Sequence, residues 1–137
     1  MACGEYTTPR FAANSGAGLI STANAKRDGT GAIVTILSGD QGTQGTNIDT
    51  ITIKAIGTTT QGTVRLFLSN GTAFFLLQEI QIPAVVPSAV IPAFSITLPV
   101  DIDMPPAWML GAATENAESF NVIARGNDWD YCNCPTV

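Results

Sequence analysis

Residues 47–56 read NIDTITIKAI, with Ile51, Ile53 and Ala55 on one side of the chain and Thr50, Thr52 and Lys54 on the other. A period of two means a strand with one buried face and one wet face. Short apolar runs recur along the rest of the chain. Residues 31–38 (GAIVTILS) form a β-branched run that ends in the turn-rich SGDQGTQG. Residues 93–98 (AFSITL), 107–113 (AWMLGAA) and 120–124 (FNVIA) are further runs. Residues 63–69 (TVRLFLS) lead through Asn70-Gly71 into residues 72–82 (TAFFLLQEIQI). Asn-Gly between two apolar runs is the strongest short hairpin signal, because both central residues of that turn need φ > 0. These runs make seven strands, and an eighth falls near Leu19. No segment carries a helix of three turns, and turn signals return roughly every 8–15 residues, which predicts an all-β sandwich or barrel.

The most apolar stretch, residues 80–100, holds Pro83, Pro87, Pro92 and Pro99. Each proline removes a backbone donor, so the stretch is neither a membrane helix nor a central strand. It reads as a long loop crossing from one sheet to the other. Residues 101–106 read as a turn region, and residues 114–118 as a loop. Eight short antiparallel strands with one long cross-sheet loop predict a jelly-roll-like β-sandwich. Residues 1–30 are small and polar without a sustained period, and read as an extended N-terminal arm. Residues 31–126 are the expected sandwich domain, and residues 127–137 a polar C-terminal tail.

A chain of 137 residues with 45% hydrophobic content supports one domain with a real core. Only 12% of residues are charged, about half the usual share. Six Lys and Arg against eleven Asp and Glu leave a net charge of −5, with the basic residues scattered. Nucleic acid needs a basic stripe, so it is not the expected partner. The absence of histidine removes Ser-His-Asp and Cys-His catalysis and His-ligated metals. No Gly-rich phosphate loop or nucleophile motif takes their place. The N-terminus lacks a basic start followed by an apolar run, so no secretory leader is expected. The balance favours a structural or binding protein with no enzymatic activity, no cofactor, no metal and no membrane association.

Three cysteines, Cys3, Cys132 and Cys134, cannot all pair within one chain. A bridge from Cys132 to Cys134 would close a small, strained ring, while Cys3 can meet either if the termini meet. A zinc site would need a fourth ligand from Asp128 or Asp130. Reduced thiols made in a cytosol are the favoured reading.

Six groups of residues invite a functional reading. Lys26 to Gly31 (KRDGTG) suits a turn better than an anion or calcium site. Arg65 lies opposite the Val64, Leu66 and Leu68 face, and is either an ion-pair partner of Glu79 or of another chain, or a plain solvent-facing residue. Asp101 and Asp103 supply too few oxygens for calcium. Glu115 and Glu118 share one loop, whereas glycosidases set two carboxylates across a cleft. Asp128, Trp129, Asp130 and Tyr131 put aromatics beside carboxylates and form the best candidate for surface recognition. Tyr6 and Phe11 are the large side chains of the arm and candidates for contact with a neighbouring subunit. Phe74, Phe75, Phe94, Trp108 and Phe120 fall on strand positions and read as core.

Four phrases are specific beyond composition: STANAKRDGTG (21–31), IKAIGTTTQGTVRLFLSNGT (53–72), PSAVIPAF (87–94) and NAESFNVIARGNDW (116–129). Together they resemble a group of small proteins encoded in tailed phages and prophages, usually beside virion structural genes. The likeness covers residues 9–129, brings no catalytic residue, and does not extend to the CNC tail. It implies a virion component made in the host bacterial cytoplasm. The finer role it implies is a capsid decoration or cement protein that binds the major capsid protein at the capsid surface. Such a protein is expected as a homo-oligomer, a trimer suiting a three-fold axis. The competing role is a receptor- or carbohydrate-binding module of a phage tail or fibre.

Overall fold

Wherever apolar and polar residues alternate, the backbone is paired. The computed structural model describes residues 10–39 and 45–130. They form β1 (Arg10–Ile20), β2 (Val34–Ser38), β3 (Thr46–Ala55), β4 (Gly62–Ser69), β5 (Phe74–Ile82), β6 (Ser95–Met104), β7 (Met109–Thr114) and β8 (Phe120–Asp130). No helix occurs among the described residues. Two four-stranded sheets have the orders β1-β8-β3-β6 and β2-β7-β4-β5. Every ladder between these strands is antiparallel, and β1 pairs with β8, β2 with β7, β3 with β6 and β4 with β5. That nesting is one long hairpin ribbon, folded over so that its two halves stack. The extra ladders β3 with β8 and β4 with β7 close each half into a sheet. The architecture is the expected β-sandwich, with jelly-roll strand order.

The core lies between the sheets. Ile48, Ile51, Ile53, Val64, Leu66, Leu110 and Val122 are fully buried there. Each such side chain contributes about 1.5–3 kcal/mol relative to exposure. The predicted alternation of β3 holds, with Ile51, Ile53 and Ala55 buried and Lys54 exposed. It holds in two phases. Asp49 is an extra residue against β8, where Ile48 faces Gly126 and Thr50 faces Arg125. This bulge lets Thr46 and Ile48 point inward as well as Ile51.

The structure moves several sequence-based boundaries. Residues 10–20 are not an arm: β1 pairs with β8 at every position from Arg10 opposite Asp130 to Ile20 opposite Phe120. Small residues hid this strand, and small residues are what it needs. A Cβ on Gly16 would stand 2.0 Å from the Ile36 carbonyl oxygen of β2. The same pairing carries β8 to Asp130, so the domain does not end at residue 126. Residues 101–104 belong to β6, not to a turn. Val100, Ile102 and Met104 point inward and Asp101 and Asp103 outward, and Pro99 is tolerated because β6 is an edge strand.

The β4–β5 hairpin forms as expected, but with a four-residue connection. Gly71 has φ +94°, while Asn70 keeps a negative φ. Asn70 Oδ1 instead accepts from Thr72 N at 2.9 Å and Ala73 N at 3.0 Å. The proline-rich stretch does cross from β5 in one sheet to β6 in the other.

Candidate functional site

Central strand β4 is buried on both faces. Val64 and Leu66 face the core, while Arg65 and Phe67 point outward yet are 1% and 0% exposed. The segment between β1 and β2 covers them, and Asn24 organises it. Asn24 Nδ2 donates to Thr30 O at 2.9 Å and Ala32 O at 3.1 Å, and its Oδ1 accepts from Lys26 N at 3.0 Å. Asn24 N donates to Thr114 O at 2.7 Å, which ties the segment to β7. The expected turn is present: Asp28 Oδ1 accepts from Thr30 N at 3.0 Å and Thr30 Oγ1 at 2.6 Å, which holds the Asp28 carboxyl below its usual range. Gly29 has φ +83° and lies against Phe74, whose ring meets Phe67 edge-on at 6.4 Å.

Arg65 is therefore not solvent-facing. Its Nε donates to Glu79 Oε1 at 2.8 Å, directly across the β4–β5 ladder, and its Nη1 donates to Asn24 O at 3.4 Å. Arg27 Nε donates to the same Glu79 oxygen at 2.6 Å. The two guanidinium groups hold the Glu79 carboxyl below its usual range, Arg27 foremost. This pair is intramolecular and clamps the covering segment. Sequence reasoning singled out Arg65 and Glu79, placed Arg27 only in the KRDGTG turn and missed Asn24; the fold brings both to the pair. Arg27, Gln61, Gly62, Thr63, Glu79 and Gln81 rim a shallow, open depression beside the clamp.

The other described candidate residues make hydrogen bonds within the fold. Asp128 faces inward between strands, where its Oδ1 accepts from Asn14 Nδ2 at 2.8 Å and Thr46 Oγ1 at 2.5 Å. Its carboxylate stitches β1, β8 and β3 together. Phe11 and Trp129 are backbone partners in the β1–β8 ladder. Tyr6, Tyr131, Cys3, Cys132 and Cys134 lie outside the described residues. Asp101 and Asp103 both accept from Asn47 Nδ2, at 2.8 and 2.7 Å, on the outer face of β3 and β6. Glu118 accepts from Thr60 N at 2.8 Å, and Asn116 Nδ2 donates to Gln61 O at 3.1 Å, so this loop braces the β3–β4 connection. Among the described residues, no group of three Cys, Asp or Glu could hold a metal ion.

Among the described residues, one flank of the sandwich stays open. The sandwich is closed where β1 packs on β2. On the opposite side, edge strands β5 and β6 form two lips without comparable contact. Ile96, Leu98, Val100 and Ile102 face inward from β6 but are only half-buried. On β5, Phe75 is 51% exposed and Leu76 and Leu77 also reach solvent, so Phe75 is not core as expected. Phe120 is core, and Phe74, Phe94 and Trp108 are half-buried. The loop joining the two lips adds Val86 at 70% and Val90 at 88% exposure. One signal in the sequence marks this side: residues 66–100 contain a single charged residue, Glu79.

No protein-family model matches the chain, and no curated protein matches it. The role must be argued from the surface.

Proposed function

We propose that this chain is a non-enzymatic structural protein of a phage virion, a decoration or cement protein that binds the major capsid protein on the capsid surface. The carrying observation is the apolar flank of β5, β6 and the loop between them, where residues 66–100 hold a single charge, Glu79, and β6 adds Asp101 and Asp103 on its outer face. Soluble monomers rarely leave such surface bare, and bare edge strands invite association. The chain thus reads as one part of an assembly, a homo-oligomer with three copies suiting a capsid three-fold axis. The four phage-like segments supply the virion. Jelly rolls serve in viral capsids and in lectins alike, so the fold adds analogy and no more.

Asp28, Asp101, Asp103, Glu118 and Asp128, which invited other chemistry, accept hydrogen bonds within the fold. Asp128, the carboxylate proposed for sugar recognition, has its Oδ1 occupied by Asn14 and Thr46. That weakens the tail-module reading relative to decoration. Copy number in purified virions, measured against the major capsid protein, is the decisive experiment. Hundreds of copies per particle are expected. A handful would move the protein to the tail, and none would remove it from the virion.

A further inference from the structure

We infer that the outer face of the β1-β8-β3-β6 sheet packs against the same face of a second copy of this chain. The inference goes beyond the virion reading and stands without it. The two sheets differ in how their outer faces are finished. The segment between β1 and β2 covers β4 of one sheet, whereas no strand packs on the outer face of the other among the described residues. That bare face is built of short side chains. Ser15 and Ala17 of β1, Thr50 and Thr52 of β3, and Ser95 and Thr97 of β6 all point outward there. Thr52 Oγ1 and Thr97 Oγ1 lie 3.0 Å apart and tie two strands together near its centre. Four strands about 4.8 Å apart and about 30 Å long offer roughly 600 Å² on each copy, and so about 1,200 Å² in a pair, the lower bound for a stable interface.

The face carries both signs of charge at opposite ends, and this selects the partner. Asp49, Asp101 and Asp103 lie at one end. Asp101 and Asp103 accept from Asn47 Nδ2, and Asp49 Oδ2 accepts from Asn127 Nδ2 at 3.1 Å. Their donors are amides, and no cation lies within ion-pair distance of them among the described residues. Lys54 is exposed at the other end of β3, seven residues from Asn47, or roughly 20 Å. It cannot reach the carboxylates of its own chain. Among the described residues, Lys54 and Arg125 have no ion-pair partner. A two-fold axis in the contact plane, running across the strands above the middle of β3, removes that separation. It stacks β3 on β3 with the direction reversed. Lys54 of each copy then lies over Asn47 of the other, among its Asp49, Asp101 and Asp103. Stacked sheets stand about 10 Å apart, a gap that a lysine side chain bridges. Arg125, opposite Thr50 in the ladder, falls near the axis and lays its stem over the half-buried Ile123 of the other copy. Three carboxylates against two cations leave the face at −1 of the whole chain's −5. A partner of single sign would be repelled at one end, whereas a second copy matches both ends at once.

Sedimentation of the full chain tests this with two charge reversals. One is Lys54→Glu, and the other combines Asp101→Lys with Asp103→Lys. Thr72→Glu, in the β4–β5 turn, is the control. The wild type and the control should sediment at the same even multiple of the chain mass. Each reversal alone should weaken the contact about tenfold or more, because like charges then meet at both ends. An equal mixture of the two variants should recover the wild-type affinity to within a few-fold. In the mixed pair, opposite charges again face each other at both ends. Circular dichroism should match the wild type throughout. A wild type that is monomeric up to millimolar concentration overturns the inference and leaves the face as an ordinary solvated sheet. So does a reversal variant that associates as tightly as the wild type, or a mixture that associates no better than its two parts.

Discussion

Arg65 Nε lies 2.8 Å from Glu79 Oε1, yet the arginine side chain is 1% exposed and the glutamate 36%. The buried cation is thus held by a carboxylate at the rim. Removing that carboxylate leaves a guanidinium in a dry site, whereas removing both charges leaves two compatible side chains. Glu79→Gln should lower the melting temperature clearly, and adding Arg65→Met should recover a large part of the loss. Thermal melts of the two variants and the wild type decide this. A double variant that melts no higher than Glu79→Gln would contradict it.

The same pair sets a pH dependence. Arg27 and Arg65 depress the Glu79 pKa in the folded state. The stability this contributes is present above the unfolded carboxylate value of about 4 and is lost as pH falls through the lower folded value. Asp28 shifts in the same direction through Thr30. Denaturant midpoints should therefore hold from neutral pH to about 5 and decline below about 4. In Glu79→Gln the acid decline should be shallower.

Asn24 holds three backbone groups of the covering segment through its side chain. Asn24→Ala should cost about 2–4 kcal/mol, at roughly 1 kcal/mol for each hydrogen bond. The loss should be local first. Trypsin should cut after the exposed Lys26 and Arg27 faster in the variant than in the wild type, at temperatures where both remain folded.

Two positive-φ positions give opposite effects. Ala107 has φ +67°, with Trp108 N donating to Pro105 O at 3.2 Å, the pattern of a turn that favours glycine at its third position. Ala107→Gly should stabilise by about 0.5–1 kcal/mol. Gly71 has φ +94° and open space around its missing Cβ, so Gly71→Val should cost only the conformational term, about 1–2 kcal/mol. Urea midpoints of the two variants should move apart in these directions.

Truncation separates the strand from what precedes it. A chain beginning at Arg10 keeps all of β1 and should melt within a few degrees of wild type. A chain beginning at Gly18 loses the pairing from Arg10 to Ala17 and leaves β8 as a bare edge. It should melt roughly 10 °C lower or aggregate. The Arg10 truncation also removes Tyr6. If residues 1–9 carry the capsid contact, it should remain folded and oligomeric but fail to decorate capsids that lack the protein.

The sequence by itself determined the fold class. Alternation in β3, the Asn70-Gly71 turn and the prolines of residues 83–92 are local signals, and each acts within a few residues. It also named both ends of the Arg65–Glu79 pair, because hairpin partners lie close along the chain. Tertiary structure decided the rest. β1 carries almost no hydrophobic signal because Gly16 and Gly18 must admit the β2 backbone and side chains, and that demand comes from a strand 20 residues away. Arg65 is buried only because Asn24 folds a distant segment over it. Asp128 looks like a surface ligand in sequence, and it becomes a structural acceptor because Asn14 and Thr46 arrive from two other strands. The open flank is likewise a property of two sheets that meet along one pair of edges and part along the other. The charge-poor run of residues 66–100 marks that side, but edge packing itself is settled by the relative placement of whole sheets.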